Sequence, residues 1–279
     1  MNSIEISVAS RDNFSQYKEA WKITNLHILY ILKIVSMLPI SDDNSDRKTI
    51  PFVNYIFIAV NILVFVTFQK LGSNLNFMYS YATVPAEIIS GHDIVTAATL
   101  VYDPISGQQV LLPGLGVTGI PVWLTLITSM FMHGGLAHLG GNMLYLWIFG
   151  DNLEDRLGHT RYFFFYLLCG VIASLTHVFS DYIFNENHLI PSIGASGAIS
   201  AVMGGYLLLF PVRRVTVFFI FTFISVPAFV VLVSWILLQI ANGTGYLGRS
   251  EASGIAYAAH IGGFIGGLFL IKKFLPGKT

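Results

Sequence analysis

Charge is what this sequence has least of. Asp, Glu, Lys and Arg make up 11% of its 279 residues, and 15 acidic side chains balance 15 basic ones. That balance excludes a generally basic nucleic-acid binder, which needs a cationic surplus to meet phosphates. Cysteine is nearly missing: Cys169 stands alone in an apolar run, so no disulfide can form within the chain. The H-E-x-x-H zinc pattern, the phosphate loop and the dinucleotide glycine fingerprint are absent. His133 and His138 lie five apart, off a common helical face, so a metal site is not expected. The first twenty residues are polar, so no cleavable signal peptide is expected there, and no short internal repeat is visible.

What fills the chain is apolar. Hydrophobic residues reach 54% and the mean hydropathy is +0.68, which predicts an all-α polytopic membrane protein. Residues 1–50 form an N-terminal tail. Within it Leu26–Pro39 is apolar, interrupted by Lys33 and too short for the ~20 residues of a span, so an interfacial helix over 26–38 is expected. Pro51 opens a membrane domain over 51–279. Spans are predicted at about 52–68, 136–150, 162–180, 195–210, 215–239 and 255–271, and the last five hold no Lys, Arg, Asp or Glu. A long loop, Gly72–His133, follows the first span, and its second half, Val122–Met132, has the apolar character of an interfacial segment headed by Trp123.

Six spans put both termini on one side. With the termini inside, thirteen Lys and Arg fall in cytoplasmic segments and only Lys70 and Arg249 outside, so both termini are expected in the cytoplasm. The second, fourth and sixth spans then all run inward. His138, Ser196 and His260 lie near their starts and share one depth in the outer half of the membrane.

The fourth span is short, ~24 Å at ~1.5 Å per residue against a ~30 Å core, so Ser196 should sit below the surface. The non-helical stretch His188–Ile193 before it must then line a wet cavity. Small residues let the fourth and sixth spans approach: Gly197, Ala201 and Gly204/Gly205 on one, and Gly254, Ala258, Gly262 and Gly266 on the other. Gly263 and Gly267 share a helix face with His260.

The chemistry these groups allow is nucleophilic. Ser196 at a helix start has free N–H groups and the positive end of the helix dipole beside it. A serine bonded to its own helix backbone is the plainer alternative. His260, ionisable inside a span, is a candidate base, with a packing histidine as its plainer reading. His138 and Asn142, four apart on one face, can both donate to an oxyanion or simply bond helix to helix. No carboxylate lies within a later span, which predicts a Ser–His dyad whose imidazole is oriented by packing.

Together these residues resemble the rhomboid family of intramembrane serine proteases. The resemblance runs from Met37 to about Phe274. It rests on His133-Gly134-Gly135-x-x-His138-x-x-x-Asn142, Glu154-x-Arg156-x-Gly158, Gly194-x-Ser196-Gly197 and Gly254-x-x-x-x-Ala259-His260-x-x-Gly263. It implies Ser196 as nucleophile, His260 as general base and then acid, and His138, Asn142 and Gly194 as groups stabilising oxyanion and substrate. Glu154 and Arg156 resemble a structural pair at the inner end of the second span, and Gly263 belongs to the structural motif around the base.

The resemblance further implies transmembrane protein substrates in a lipid bilayer, no metal or organic cofactor, and, for this chain, the plasma membrane of a prokaryote. Leu124 follows Trp123 where some members have Arg. Ser200 stands where some have a Tyr stacked on the base, leaving Tyr257 or Phe264 to orient His260. The leader Met37–Asn44 resembles the usual start of many members, so translation from Met37 is expected. A non-catalytic relative that binds membrane segments and a transporter with a polar solute path are the alternatives.

Overall fold

The computed structural model describes residues 37–102, 109–184, 188–244 and 256–277. Nearly all of the expected interfacial helix over 26–38 lies outside these residues, as do Gly254 and the start of the sixth predicted span.

The described chain opens on strand β1 (Leu38–Asp42). Helix α1 (Phe52–Leu63) starts directly after Pro51, whose fixed φ suits a helix start, and runs on as a π-helical turn over Val64–Phe68. The next stretch is a packed outer layer. It holds α2 (Leu75–Tyr81), capped by Asn74, then α3 (Pro85–Ser90), the hairpin β2 (Thr99–Tyr102) with β3 (Gln109–Leu112), and α4 (Thr125–Thr128) between two 3-10 turns. Four long elements follow: α5 (Leu136–Leu157), α6 (His159–Phe184), α7 (Ser196–Leu209) and a strand pair, β4 (Arg214–Phe219) and β5 (Thr222–Pro227). The chain closes with α8 (Ala228–Gly243) and α9 (Tyr257–Phe274).

Helix α7 is the axis of the bundle. Every residue from Gly197 to Tyr206 is buried, surrounded by α5, α6, α8 and α9. The aromatic core formed by Phe149, Tyr162, Phe165, Tyr166 and Tyr206 fills the half away from Ser196. Backbone meets backbone where α7 and α9 cross: a Cβ at Gly263 would overlap Gly197 O, one at Gly267 Ala201 O, and one at Gly204 Phe264 O. Gly262 and Gly266 turn instead to Thr176 and Ile172 of α6. The two small-residue faces of α9 therefore serve two different neighbours.

The fold is mostly helical, but not all-α. The expected span over 215–239 divides into the β4–β5 hairpin and the shorter α8, and β4 also pairs with β1 in a sheet ordered β1-β4-β5. Uncharged apolar sequence was the basis for a helix there. Alternating β-branched and aromatic residues in Val215-Thr-Val-Phe-Phe and Thr222-Phe-Ile-Ser-Val favour strands, and Pro227 delays the helix. The expected loop over 72–133 is likewise built of short helices and a hairpin. By length and composition α6 is long and apolar enough to cross a membrane alone. The segment Val122–Phe131 with Leu136–Leu157 passes only as a pair bent by 82°, while 52–68, α7 and α8 are shorter apolar helices.

The β4–β5 turn has positive φ at both central residues, 44° at Ile220 and 64° at Phe221. That conformation suits Asn-Gly, whereas an L side chain there costs ~1–2 kcal/mol. Phe221 is 93% exposed and contributes little packing in return. Replacing the pair by Ile220→Asn and Phe221→Gly should raise the thermal midpoint in detergent by roughly 2–6 °C. An unchanged or lower midpoint would show that the turn is not strained.

At the end of the bundle away from Ser196, polar groups tie the sheet to the helices. Glu154 accepts hydrogen bonds from the N–H groups of Val53 (3.0 Å) and Asn54 (2.7 Å), and so caps buried donors that have no partner within the helix at the start of α1. His159 completes its shell. Arg156, the other residue of this motif, is exposed and makes no ion pair among the described residues. Asp42 accepts from Asn152 (2.7 Å) and Tyr206, and Arg47 pairs with Asp151. Burial, with the Asp42 carboxylate beside it, pushes the Asp151 carboxyl up to about 6 in spite of Arg47.

Candidate active site

Ser196 owes its position to the segment before it. Ser192 and Thr83 exchange both backbone hydrogen bonds (2.8 and 3.0 Å), and Ala86 N–H donates to His188 O (3.0 Å). The Thr83 hydroxyl reaches Thr125 O at 2.9 Å and Ser129 Oγ at 2.8 Å. These threonine contacts anchor the outer layer where Leu124 provides no charge, and Trp123 is 52% exposed.

Gly194 then has φ +132°, which favours glycine, and its N–H donates to Ser129 O (2.9 Å). That N–H is already used, so Gly194 acts here through its backbone turn and its lack of a side chain. A Cβ at this position would lie 3.0 Å from the ring of His138. Immediately after this turn α7 begins. The N–H groups of its first residues, Ser196 to Ala198, have no partner within the helix.

His260 meets this helix start from α9. Its Nε2 is 2.7 Å from Ser196 Oγ. Its Nδ1 is 2.7 Å from Gln239 Oε1 on α8. An amide oxygen can only accept, so Nδ1 carries the proton and the Nε2 lone pair accepts the Ser196 O–H. Trp235, one turn before Gln239, lies 5.7 Å from the His260 ring and stacks on Phe264 at 6.3 Å. Tyr257 approaches edge-on at 6.5 Å. The Ser200 hydroxyl bonds back to Ser196 O and does not touch the base.

His138 and Asn142 stand on the opposite side of Ser196, both from α5. The His138 Nδ1 accepts a hydrogen bond from Gly134 N–H (3.3 Å), which leaves Nε2 as the donor, lying over Gly194. Asn142 is 8% exposed and its Nδ2 has no partner among the described residues. All four groups line one cavity of about 900 Å³, together with Trp235 and Gln239. The neighbouring His133 is held outside it, its backbone clasped by the Gln69 amide at 2.8 and 2.9 Å.

Sequence reasoning thus named Ser196, His260, His138 and Asn142, which the fold gathers in one place, and Gly263, which sets the α7–α9 approach. It missed Gln239 and Trp235. The only signal for Gln239 was an amide side chain at the end of an otherwise apolar run.

Fold and site define a helical bundle with a hydroxyl–imidazole pair at the buried start of a short central helix, facing donors across a cavity. The rhomboid domain model matches residues 121–277, and the chain belongs to the rhomboid family, whose members are integral to membranes. Rhomboid protein 1 of Saccharomyces cerevisiae mitochondria is 34% identical over 150 residues, 52% of this chain and 40% of that protein. The rhomboid protease GluP of Bacillus subtilis is 30% identical over 221 residues, 78% of this chain and 34% of that protein. RHOMBOID-like protein 5 of Arabidopsis thaliana is 32% identical over 145 residues, 52% of this chain and 42% of that protein. The chain therefore spans less than half the length of each of these curated relatives.

Proposed function

We propose that the chain is an intramembrane serine endopeptidase that cleaves other membrane proteins within or beside a transmembrane segment. The observation that carries this reading is the 2.7 Å approach of Ser196 Oγ to His260 Nε2 at the wall of a large cavity. Ser196 Oγ attacks the scissile carbonyl while its proton passes to His260 Nε2. The resulting oxyanion receives hydrogen bonds from His138 Nε2–H, the unpartnered Asn142 Nδ2 and the N–H groups at the start of α7. Collapse breaks the C–N bond, the imidazolium returns its proton to the leaving amine, and an acyl-enzyme remains. Water then attacks the ester with His260 again as base, releasing the carboxylate product and restoring Ser196.

Carbonyls in an intact helix are hydrogen-bonded and shielded, so the substrate segment must unwind locally before attack. The six apolar runs support six membrane passes, the Lys and Arg distribution favours cytoplasmic termini, and the site then opens toward the outer leaflet. The GluP match covers more of this chain than the other two, which supports a prokaryotic plasma membrane.

The test is cleavage of a single-span reporter with a helix-breaking outer segment, reconstituted with the purified protein in liposomes. Wild type is expected to release two fragments and Ser196→Ala none. Binding without cleavage by wild type would favour the non-catalytic alternative, and equal cleavage by both would refute the assignment of Ser196.

A further inference from the structure

We propose that Gln239 is a positioning residue for the base: its side-chain oxygen holds His260 in the one tautomer that can deprotonate Ser196. The inference rests on the proteolytic reading above and adds a third member to its dyad.

Three observations carry it. Gln239 Oε1 lies 2.7 Å from His260 Nδ1, while Ser196 Oγ lies 2.7 Å from the other ring nitrogen, so the three groups form one continuous hydrogen-bonded line. No Asp or Glu pairs with His260 among the described residues, so no carboxylate competes for that role. Trp235 and Gln239, spaced i and i+4 on α8, present one face to His260 and Phe264, spaced i and i+4 on α9. The indole limits the tilt of the imidazole and the amide fixes its rotation.

The chemical need is specific. A neutral imidazole whose Nε2 carries the proton cannot accept from serine, and loss of tautomer control in a Ser–His–Asp triad costs up to ~10⁴-fold in turnover. An amide fills the third place in Cys–His–Asn enzymes, so a carboxylate is not required. In a membrane-sunk site an amide also avoids the large cost of burying an ionised side chain. Because Gln239 belongs to α8 and His260 to α9, the docking of α8 on α9 decides whether the base is set.

The experiment compares Gln239→Met and Gln239→Glu with wild type in the liposome assay, with thermal midpoints recorded. Met keeps the length and removes the acceptor, and kcat is expected to fall roughly 10- to 100-fold with KM within twofold. Glu keeps an acceptor and adds charge. It should recover most of kcat and move the acidic limb of the pH–rate profile upward, since a carboxylate on Nδ1 favours the protonated ring. An unchanged kcat in Gln239→Met, a rise in KM alone, or a Glu variant as slow as Met would overturn the assignment.

A second readout needs no turnover and separates this inference from the proteolytic one. In ¹⁵N-histidine spectra, with the His260 signals identified by their loss in His260→Asn, wild type should show the Nδ1-protonated tautomer and Gln239→Met a mixture. Nε2 protonation in wild type would overturn the proposal even in an active enzyme. The expected tautomer in a protein that cleaves nothing would leave it standing while the activity fell.

Discussion

His260→Asn should lower the rate of reporter cleavage by roughly 10⁴-fold, the upper end of what a general base contributes. The upper end applies because one ring nitrogen has two duties: it accepts the serine proton and later gives a proton to the leaving amine. An asparagine amide can hydrogen-bond to Ser196 Oγ but cannot take up its proton. The fold should tolerate the change. His260 faces the cavity, and its contacts beyond Ser196 are with Gln239, Trp235 and Tyr257. Single-turnover cleavage in liposomes, with the thermal midpoint within a few degrees of wild type, is the measurement. A loss under tenfold would mean that His260 is not the base.

Gly263→Val should lower the rate by about 10²-fold, for a different reason. Gly263 sits one turn beyond His260 and packs on the carbonyl of Gly197, the residue after the nucleophile. A side chain there cannot be absorbed by a rotamer change, because the atom it meets is backbone. The helices must separate, and they separate where Ser196 and His260 face each other. Overpacking of this kind costs ~1–3 kcal/mol in stability, and a displacement of ~1 Å costs on the order of 10²-fold in rate.

Gly266→Ala is the matched control on the same helix. Its new methyl would meet Ile172 at an ordinary 3.5 Å, so activity should persist, and the midpoint should hold or rise because alanine favours helix. Equal loss of activity in both variants would show that the α7–α9 approach is not what sets the site.

How much of this was readable beforehand depends on the range of the interaction. Ser196 and His260 stood out because polar groups at the starts of apolar segments are costly there without a purpose. His138 and Asn142 followed from a four-residue spacing. Glycine periodicity showed that α9 packs closely, though not that Gly262 and Gly266 face α6 while Gly263 and Gly267 face α7.

Gln239 was not legible. Whether it points at the base depends on the rotation of α8, and that rotation depends on where the β4–β5 hairpin ends. The hairpin itself was hidden, since an uncharged apolar run satisfies a span and a buried strand equally. Glu154 was legible only as a motif residue at the end of a span; apart from His159, its ligands are N–H groups 100 and 101 residues earlier in the chain. Local spacing has no access to such a contact.

The account rests on a hydroxyl made reactive by one imidazole inside a membrane bundle. Its most direct test is peptide mapping by mass spectrometry after the purified protein reacts with a fluorophosphonate. The prediction is a single adduct on Ser196, lost in Ser196→Ala and slowed by orders of magnitude in His260→Asn. An adduct on another serine, such as Ser200, or undiminished labelling without His260, would contradict it.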